Sequence, residues 1–259
     1  MDEQKNKYCV LNGIKSIFIL KTIFNYVSIR KKLNIIRINN KIKEKLNINL
    51  KDYIENQPIV IEIYPYSMKR RRTNKKFINI LNKSDEPLCH IYFNDDKKKE
   101  IKKYYLSRGE KVSKIKIVLE KEFDSFSNLF WECKIIRAIE FKYFDNRIIK
   151  DMSYMFGKCI FLQKLDLSKF KTNYVTNMES MFYGCKNLIS LDLSSFNTND
   201  VTNMRNMFNG CSSLDELNLS SFNITSIKKV EDMGHMFDKC RESLKEKIKN
   251  DYKIFNKIL

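Results

Sequence analysis

The chain is poor in the residues that punctuate loops and carry much of enzyme chemistry. Its 259 residues include 6 glycines, 3 prolines, 2 histidines and 1 tryptophan. So little glycine leaves no Gly-rich loop to cradle a phosphate, and so little proline leaves no stiff linker. The histidines, His90 and His235, are not spaced against any cysteine pair, and no Cys-x-x-Cys occurs. A zinc site is therefore not expected. No nucleophile sits in a recognisable strained turn. The sequence calls for no cofactor, no metal and no catalytic residue, and it reads as a binding protein and not an enzyme. Long apolar runs are lacking too. The most apolar stretch, Ile14 to Tyr26, is broken by Lys15 and Lys21, and a spanning helix needs ~20 mostly apolar residues. It also lacks the small-residue cleavage pattern of a signal peptide. The expectation is a cytoplasmic protein without a membrane span.

What the chain does have is apolar residues and positive charge. Hydrophobic residues make up 43%, enough for a packed core, and the formal net charge is +18. The excess lies in residues 1–120 and in the tail from Arg241, whereas 121–240 carry equal numbers of each sign. A basic front of this kind suits either a solvated lysine-rich surface or contact with nucleic acid or anionic lipid. The cluster Lys69-Arg70-Arg71-Arg72, with Lys75 and Lys76, reads as a solvated loop or as a nuclear-localisation or phosphate-contacting patch.

The cysteines reveal an internal repeat. Cys133, Cys159, Cys185 and Cys211 are each 26 residues apart, and Cys240 follows after 29. Three residues before each stands a phenylalanine: Phe130, Phe156, Phe182, Phe208 and Phe237. Before those come Leu129, Met155, Met181, Met207 and Met236. One unit reads FGKCIFLQKLDLSKFKTNYVTNMESM, and the next FYGCKNLISLDLSSFNTNDVTNMRNM. Self-similarity at a fixed period is the signature of stacked supersecondary units.

Each unit divides in two. A short strand carries alternating apolar residues: Ile139 and Phe141, Leu165 and Leu167, Leu191 and Leu193, Leu217 and Leu219. A short helical turn is expected next, because Met178, Met181 and Phe182 lie at helical spacing, with Asp151, Asn177 and Asn203 at the capping position. A single unit cannot bury enough apolar surface to fold alone, so the units must stack. One cysteine per unit, in register, reads as a buried column of reduced thiols. The fold class expected is α/β: a repeat solenoid with a parallel sheet and short helical turns.

The unit MFxGCxxLxxLDLSxFNTxxVTNMxxM resembles the BspA-type leucine-rich repeat over about residues 123–240. That resemblance implies a leucine-rich-repeat solenoid that binds other proteins; bacterial members are surface adhesins. A second resemblance lies in Ser16 to Leu46. Its Leu20, Ile23, Phe24, Tyr26, Val27, Leu33 and Ile36 are similar to the apolar pattern of an F-box, without the usual Leu-Pro start or third-helix Trp. It implies a substrate adaptor that docks a Skp-type subunit of a cullin ubiquitin ligase through Leu20, Ile23, Phe24, Tyr26 and Val27.

The organisation expected is thus a helical region over 1–56, a small α+β segment over 57–114, repeats over 115–240 and a closing helix over 241–259. Within 57–114, Ile59 to Ile63, Phe77 to Leu81 and Leu88 to Phe93 read as strands, and Lys97 to Leu106 as a helix. Residues Ile115 to Leu119 read as the strand of a degenerate first unit. The side chains between the buried apolar pairs face outward in columns. Ala138, Lys164, Ser190 and Glu216 form one, Glu140, Asp166, Asp192 and Asn218 a second, and Lys142, Ser168, Ser194 and Ser220 a third. Among them Lys164, Asp166, Ser168, Ser190, Asp192, Ser194, Glu216 and Asn218 are the candidate partner-binding residues. The second column is mostly acidic and suits a basic partner or a cation, unless Lys164 and neighbouring lysines neutralise it or its carboxylates serve the fold.

Overall fold

The computed structural model describes Ile42, Glu44, 58–66, 74–79, Glu86, 88–96, 99–119, 123–144, 149–170, 172–224, 230–256 and Leu259. The chain divides into two compact units, Met1–Gln57 and Pro58–Leu259. The candidate docking residues Leu20, Ile23, Phe24, Tyr26 and Val27 and the cluster at 69–72 lie outside the described residues.

The second unit is mixed α/β with little helix. Its strands are β1 (Ile59–Pro65), β2 (Lys75–Lys76), β3 (Cys89–Phe93), β4 (Tyr105–Leu106), β5 (Ile115–Leu119), β6 (Ile136–Tyr143), β7 (Lys164–Asp166), β8 (Ser190–Asp192) and β9 (Glu216–Asn218). The main sheet runs β3-β5-β1-β6-β7, with β8-β9 and β2-β4 forming two-stranded pairs. It is not wholly parallel. β1 pairs antiparallel with both β5 and β6, and β3 antiparallel with β5. β6–β7 and β8–β9 are parallel, with residues 26 apart side by side, as in Leu165 beside Ile139 and Leu217 beside Leu191. Strand β5 therefore belongs to the antiparallel part and is not the first repeat strand. Alternation explains its place: Ile115, Ile117 and Leu119 are buried on one face, as are Ile59, Ile61 and Ile63 of β1.

Two further expectations in this part are corrected. Residues 99–104 contain no helix, and Tyr105–Leu106 form β4. Phe77 and Ile78 are buried but follow a strand that ends at Lys76. The Phe77 amide donates to the Tyr104 carbonyl at 3.1 Å, and the Asn79 amide to that of Leu129 at 2.8 Å. An apolar run anchored by such contacts mimics a strand in sequence.

The expected helical turn is also absent from the units up to Cys211, while in the last unit a single 3-10 turn spans Val230–Met233. From Phe126 to Cys133, and in each later unit, the chain makes successive β-turns, such as Met181 N–H to Met178 O and Cys185 N–H to Phe182 O. Asn128, Glu132, Tyr154, Lys158, Ser180 and Asn206 have positive φ, and glycine fills two equivalent positions, Gly184 and Gly210. A left-handed residue every fourth position ends any α-helix before it completes a turn. It also turns alternate amides sideways. Met178, Ser180, Phe182 and Gly184 donate at 2.8–2.9 Å to Asn203, Arg205, Met207 and Asn209 of the next unit. The same quartet recurs from Phe126, from Met152 and from Met204. The three-residue insertion before Cys240 leaves this ladder intact, since Met204 simply donates to Asp232.

Asp151, Asn177 and Asn203 do cap, but they cap a turn. Their side-chain oxygens accept the N–H two residues on, at 2.8, 3.1 and 3.0 Å. They also join Ser125 in a row of parallel bridges. Inside, Phe130, Phe156, Phe182, Phe208 and Phe237 stack with ring centroids 5.6–5.7 Å apart. The cysteine column is buried, and the thiols of Cys159, Cys185, Cys211 and Cys240 each donate to a carbonyl one unit back, as Cys185 does to Phe156 at 3.1 Å. Thr172 and Thr198 are buried and bracket the following unit. Thr198 donates to the Asn223 carbonyl at 2.8 Å and accepts its amide at 2.7 Å. The stack ends at α1 (Glu242–Asp251), whose Leu244 and Ile248 are buried, and at Phe255, packed against Phe237 and Phe222.

Candidate functional site

The expected surface columns form side by side. Ala138 pairs with Lys164 and Glu140 with Asp166 across β6–β7; Ser190 pairs with Glu216 and Asp192 with Asn218 across β8–β9. Lys164, Asp166, Ser168, Ser190, Asp192, Ser194, Glu216 and Ser220 are exposed, and Asn218 is half-buried. Each three-residue strand holds one apolar side chain inward and two polar ones outward.

The carboxylate column has a local role that strand alternation alone does not specify. Asp166 Oδ1 accepts the Ser168 amide at 2.9 Å, Asp192 that of Ser194 at 2.9 Å, and Asn218 that of Ser220 at 3.1 Å. Each side chain thus closes the turn that ends its strand, and an amide oxygen does so as well as a carboxylate. The hydrogen bonds from Ser168, with Lys169 and Lys142 nearby, hold the Asp166 carboxyl below its ordinary range. Charge is spread unevenly along the column. Glu140 is ion-paired with Lys142, which also lies 3.6 Å from Glu62. No Lys or Arg among the described residues is ion-paired with Asp192.

Three participants were missed in the sequence reading: Glu62, Tyr64 and Lys114. Glu62 on β1 stands beside Glu140 on one side and Lys116 on the other, so the polar row continues past the repeats into the antiparallel strands. Its side chain is only 13% exposed and is matched by Lys114 at 3.6 Å as well as Lys142. The Tyr64 hydroxyl donates to Glu62 at 3.0 Å, and burial raises its pKa. The alternation of Val60, Glu62 and Tyr64 within β1 was the signal for this face. A second row at the strand entrances, Arg137, Gln163, Ile189 and Asp215, was also missed. Gln163 donates its amide to the Arg137 carbonyl at 2.8 Å and Asp215 to that of Ile189 at 2.9 Å. Ile189 is 56% exposed, unusual for so large an apolar side chain.

Among the described residues the interior cysteines are held as thiols. Burial raises the thiol pKa of Cys159, Cys185 and Cys211 well above the usual value, and that of Cys240 to about 11. A thiol held protonated is neither a nucleophile nor a metal ligand. Among the described residues no group of His, Cys, Asp and Glu is arranged to hold a metal ion, and no helix is long and apolar enough to cross a membrane.

No curated protein and no solved structure matches the chain. A family model described as "Mycoplasma protein of unknown function, DUF285" matches residues 124–251, from the first turn stretch through α1, and it is to this family that the repeat-bearing part of the chain is similar.

Proposed function

We propose that the protein is a non-catalytic interaction scaffold: a leucine-rich-repeat-type solenoid, of the BspA kind, that binds a protein partner through the outward face of β6 to β9. The observation that carries the reading is the division of labour within each unit. Its apolar side chains, thiols and lateral backbone bonds are spent on stacking, while the strand face presents exposed polar side chains in register at ~4.8 Å spacing. A rigid ladder carrying variable surface residues suits recognition of an extended partner surface. The buried, protonated thiols support a role other than catalysis.

The test rests on a substitution that removes charge and keeps the turn. Asn218 already makes the hydrogen bond that Asp166 and Asp192 make. The chain carrying Asp166→Asn and Asp192→Asn should keep its melting temperature within a degree or two. It should retain at least tenfold less partner, whereas Arg205→Gln on the turn side should retain the partner fully. Equal retention by all three chains overturns the sheet-face reading. Retention of a Skp-type adaptor, lost on changing Leu20 and Phe24 to Ala but not on changing the sheet face, would instead move the function to the N-terminal segment.

A further inference from the structure

The β2–β4 ribbon is a separate pair from the strands of the sheet face, and it carries a surface of a different kind. Its register sorts the side chains, with Lys75 opposite Leu106 and Lys76 opposite Tyr105. Residues directly opposite each other point to the same side, and successive residues to opposite sides. Leu106 is buried, so it marks the inner side with half-buried Lys75, and Lys76 and Tyr105 share the outer side. Lys103 Nζ lies over the Tyr105 ring, 5.6 Å from its centre, and the tyrosine is still 38% exposed.

Past β4 the chain turns at Ser107 to Glu110. A Cβ added at Gly109 would meet nothing within 4 Å, so the turn stands clear of the body, and Arg108 and Lys111 are exposed. The carboxylate of this turn is engaged: Glu110 is ion-paired with Lys103 and accepts the Ser107 amide at 2.7 Å. Lys102 and Lys114 are likewise ion-paired, with Glu100 and Asp95. None of Lys76, Arg108 and Lys111 is ion-paired among the described residues. Chain length alone holds Arg108 within about 11 Å of Tyr105 and Lys111 within about 22 Å.

Three uncompensated cations around an exposed ring match a flexible polyanion that also carries planar groups. We propose that this surface binds single-stranded nucleic acid, with Lys76, Arg108 and Lys111 on its phosphates and Tyr105 stacked on one base. The inference goes beyond the sheet-face reading and does not depend on it, since none of these residues lies on β6 to β9. An acidic protein segment or an anionic bilayer would satisfy the cations but leave the ring without a planar partner. A duplex keeps its base faces against one another. Phosphate contacts and stacking carry no sequence information, so binding is indifferent to sequence.

Fluorescence anisotropy of the intact chain with a labelled strand of about 12 thymidines tests the site. Saturable binding is expected at about 50 mM NaCl, weakening about 20-fold by about 200 mM, as three neutralised phosphates on a single strand require. Lys76→Gln, Arg108→Gln and Lys111→Gln together should weaken it at least tenfold and flatten the salt dependence. Tyr105→Leu keeps apolar bulk and removes the ring; it should weaken binding at least fivefold, while Tyr105→Phe should bind as the native chain does. The same Tyr105→Leu change should leave binding of the thymidine strand annealed to its complement unaltered. Asp166→Asn with Asp192→Asn should change none of this. Circular dichroism and melting temperature check that each variant is folded.

No binding of the single strand, or undiminished binding by the folded triple variant, overturns the site. So does a loss that appears only when Lys69-Arg70-Arg71-Arg72 is neutralised. Equal losses for single strand and duplex on Tyr105→Leu overturn the stacking. Binding to phosphatidylserine vesicles without binding to the oligonucleotide assigns the surface to a membrane instead.

Discussion

The turn side and the strand side of one repeat are built to different standards. On the turn side, alternate amides bond to the next unit at every step from Phe126 to Gly210. On the strand side each unit contributes three residues, and the sheet that includes β7 is separate from the β8–β9 pair. The side chains follow the same split. The Phe, Met and Cys columns are almost wholly buried, while two of the three positions on β7 and β8 are exposed. The lesson is that lateral cohesion comes from the turns, which leaves the outward side chains of the strand face without a packing role.

Substitutions can break this contrast from its strong side first. Phe182 sits between Phe156 and Phe208 in the ring column, with centroids 5.7 and 5.6 Å away. Phe182→Ala should cost about 3–5 kcal/mol, the usual range for emptying a packed aromatic site. Chemical denaturation would show it as a fall in midpoint. A smaller loss of about 1–3 kcal/mol is expected from Gly157→Ala, where the added carbon would lie 2.5 Å from Trp131 Cε3 and force the ring to move. Trp131 is the only tryptophan, so its emission should shift along with the melting temperature; an unchanged spectrum would mean that the backbone yields instead. The weak side provides the smallest effect. Asp192→Asn keeps the bond to the Ser194 amide and should change stability by less than about 0.5 kcal/mol. A loss above 1 kcal/mol there would show that the strand face is structural after all.

Much of this division was readable beforehand. Five landmarks at one period fixed the buried columns, and strand alternation gave Leu165, Leu191 and Leu217 with their outward neighbours. The turn geometry was not readable, because Met178, Met181 and Phe182 have the spacing of a helix face. Only Gly184 and Gly210 hinted at left-handed backbone, while Tyr154, Lys158 and Ser180 adopt it without glycine. The antiparallel strands β1, β3 and β5 were legible as strands but not in their pairing, and the short β2–β4 pair was not legible. Nothing in Ile115 to Leu119 says that its neighbours are β1 and β3 and not β6, since pairing is decided by which faces must be covered together. The turn-closing role of Asp166 and Asp192 was legible in principle. Asn218 at the third equivalent position and a serine two residues on are the mark of an Asx-turn.

The three extra residues before Cys240 leave the register of the stack unchanged. The lateral bonds register donor against acceptor, not residue number, so Met204 finds Asp232 as readily as Met178 finds Asn203. The extra residues fall between Asn223 and Asp232, and the bonds on either side keep their partners: Thr198 with Asn223, and Met204 with Asp232. One unit of the stack is longer than the others while the Phe and Cys columns keep their phase through Phe237 and Cys240.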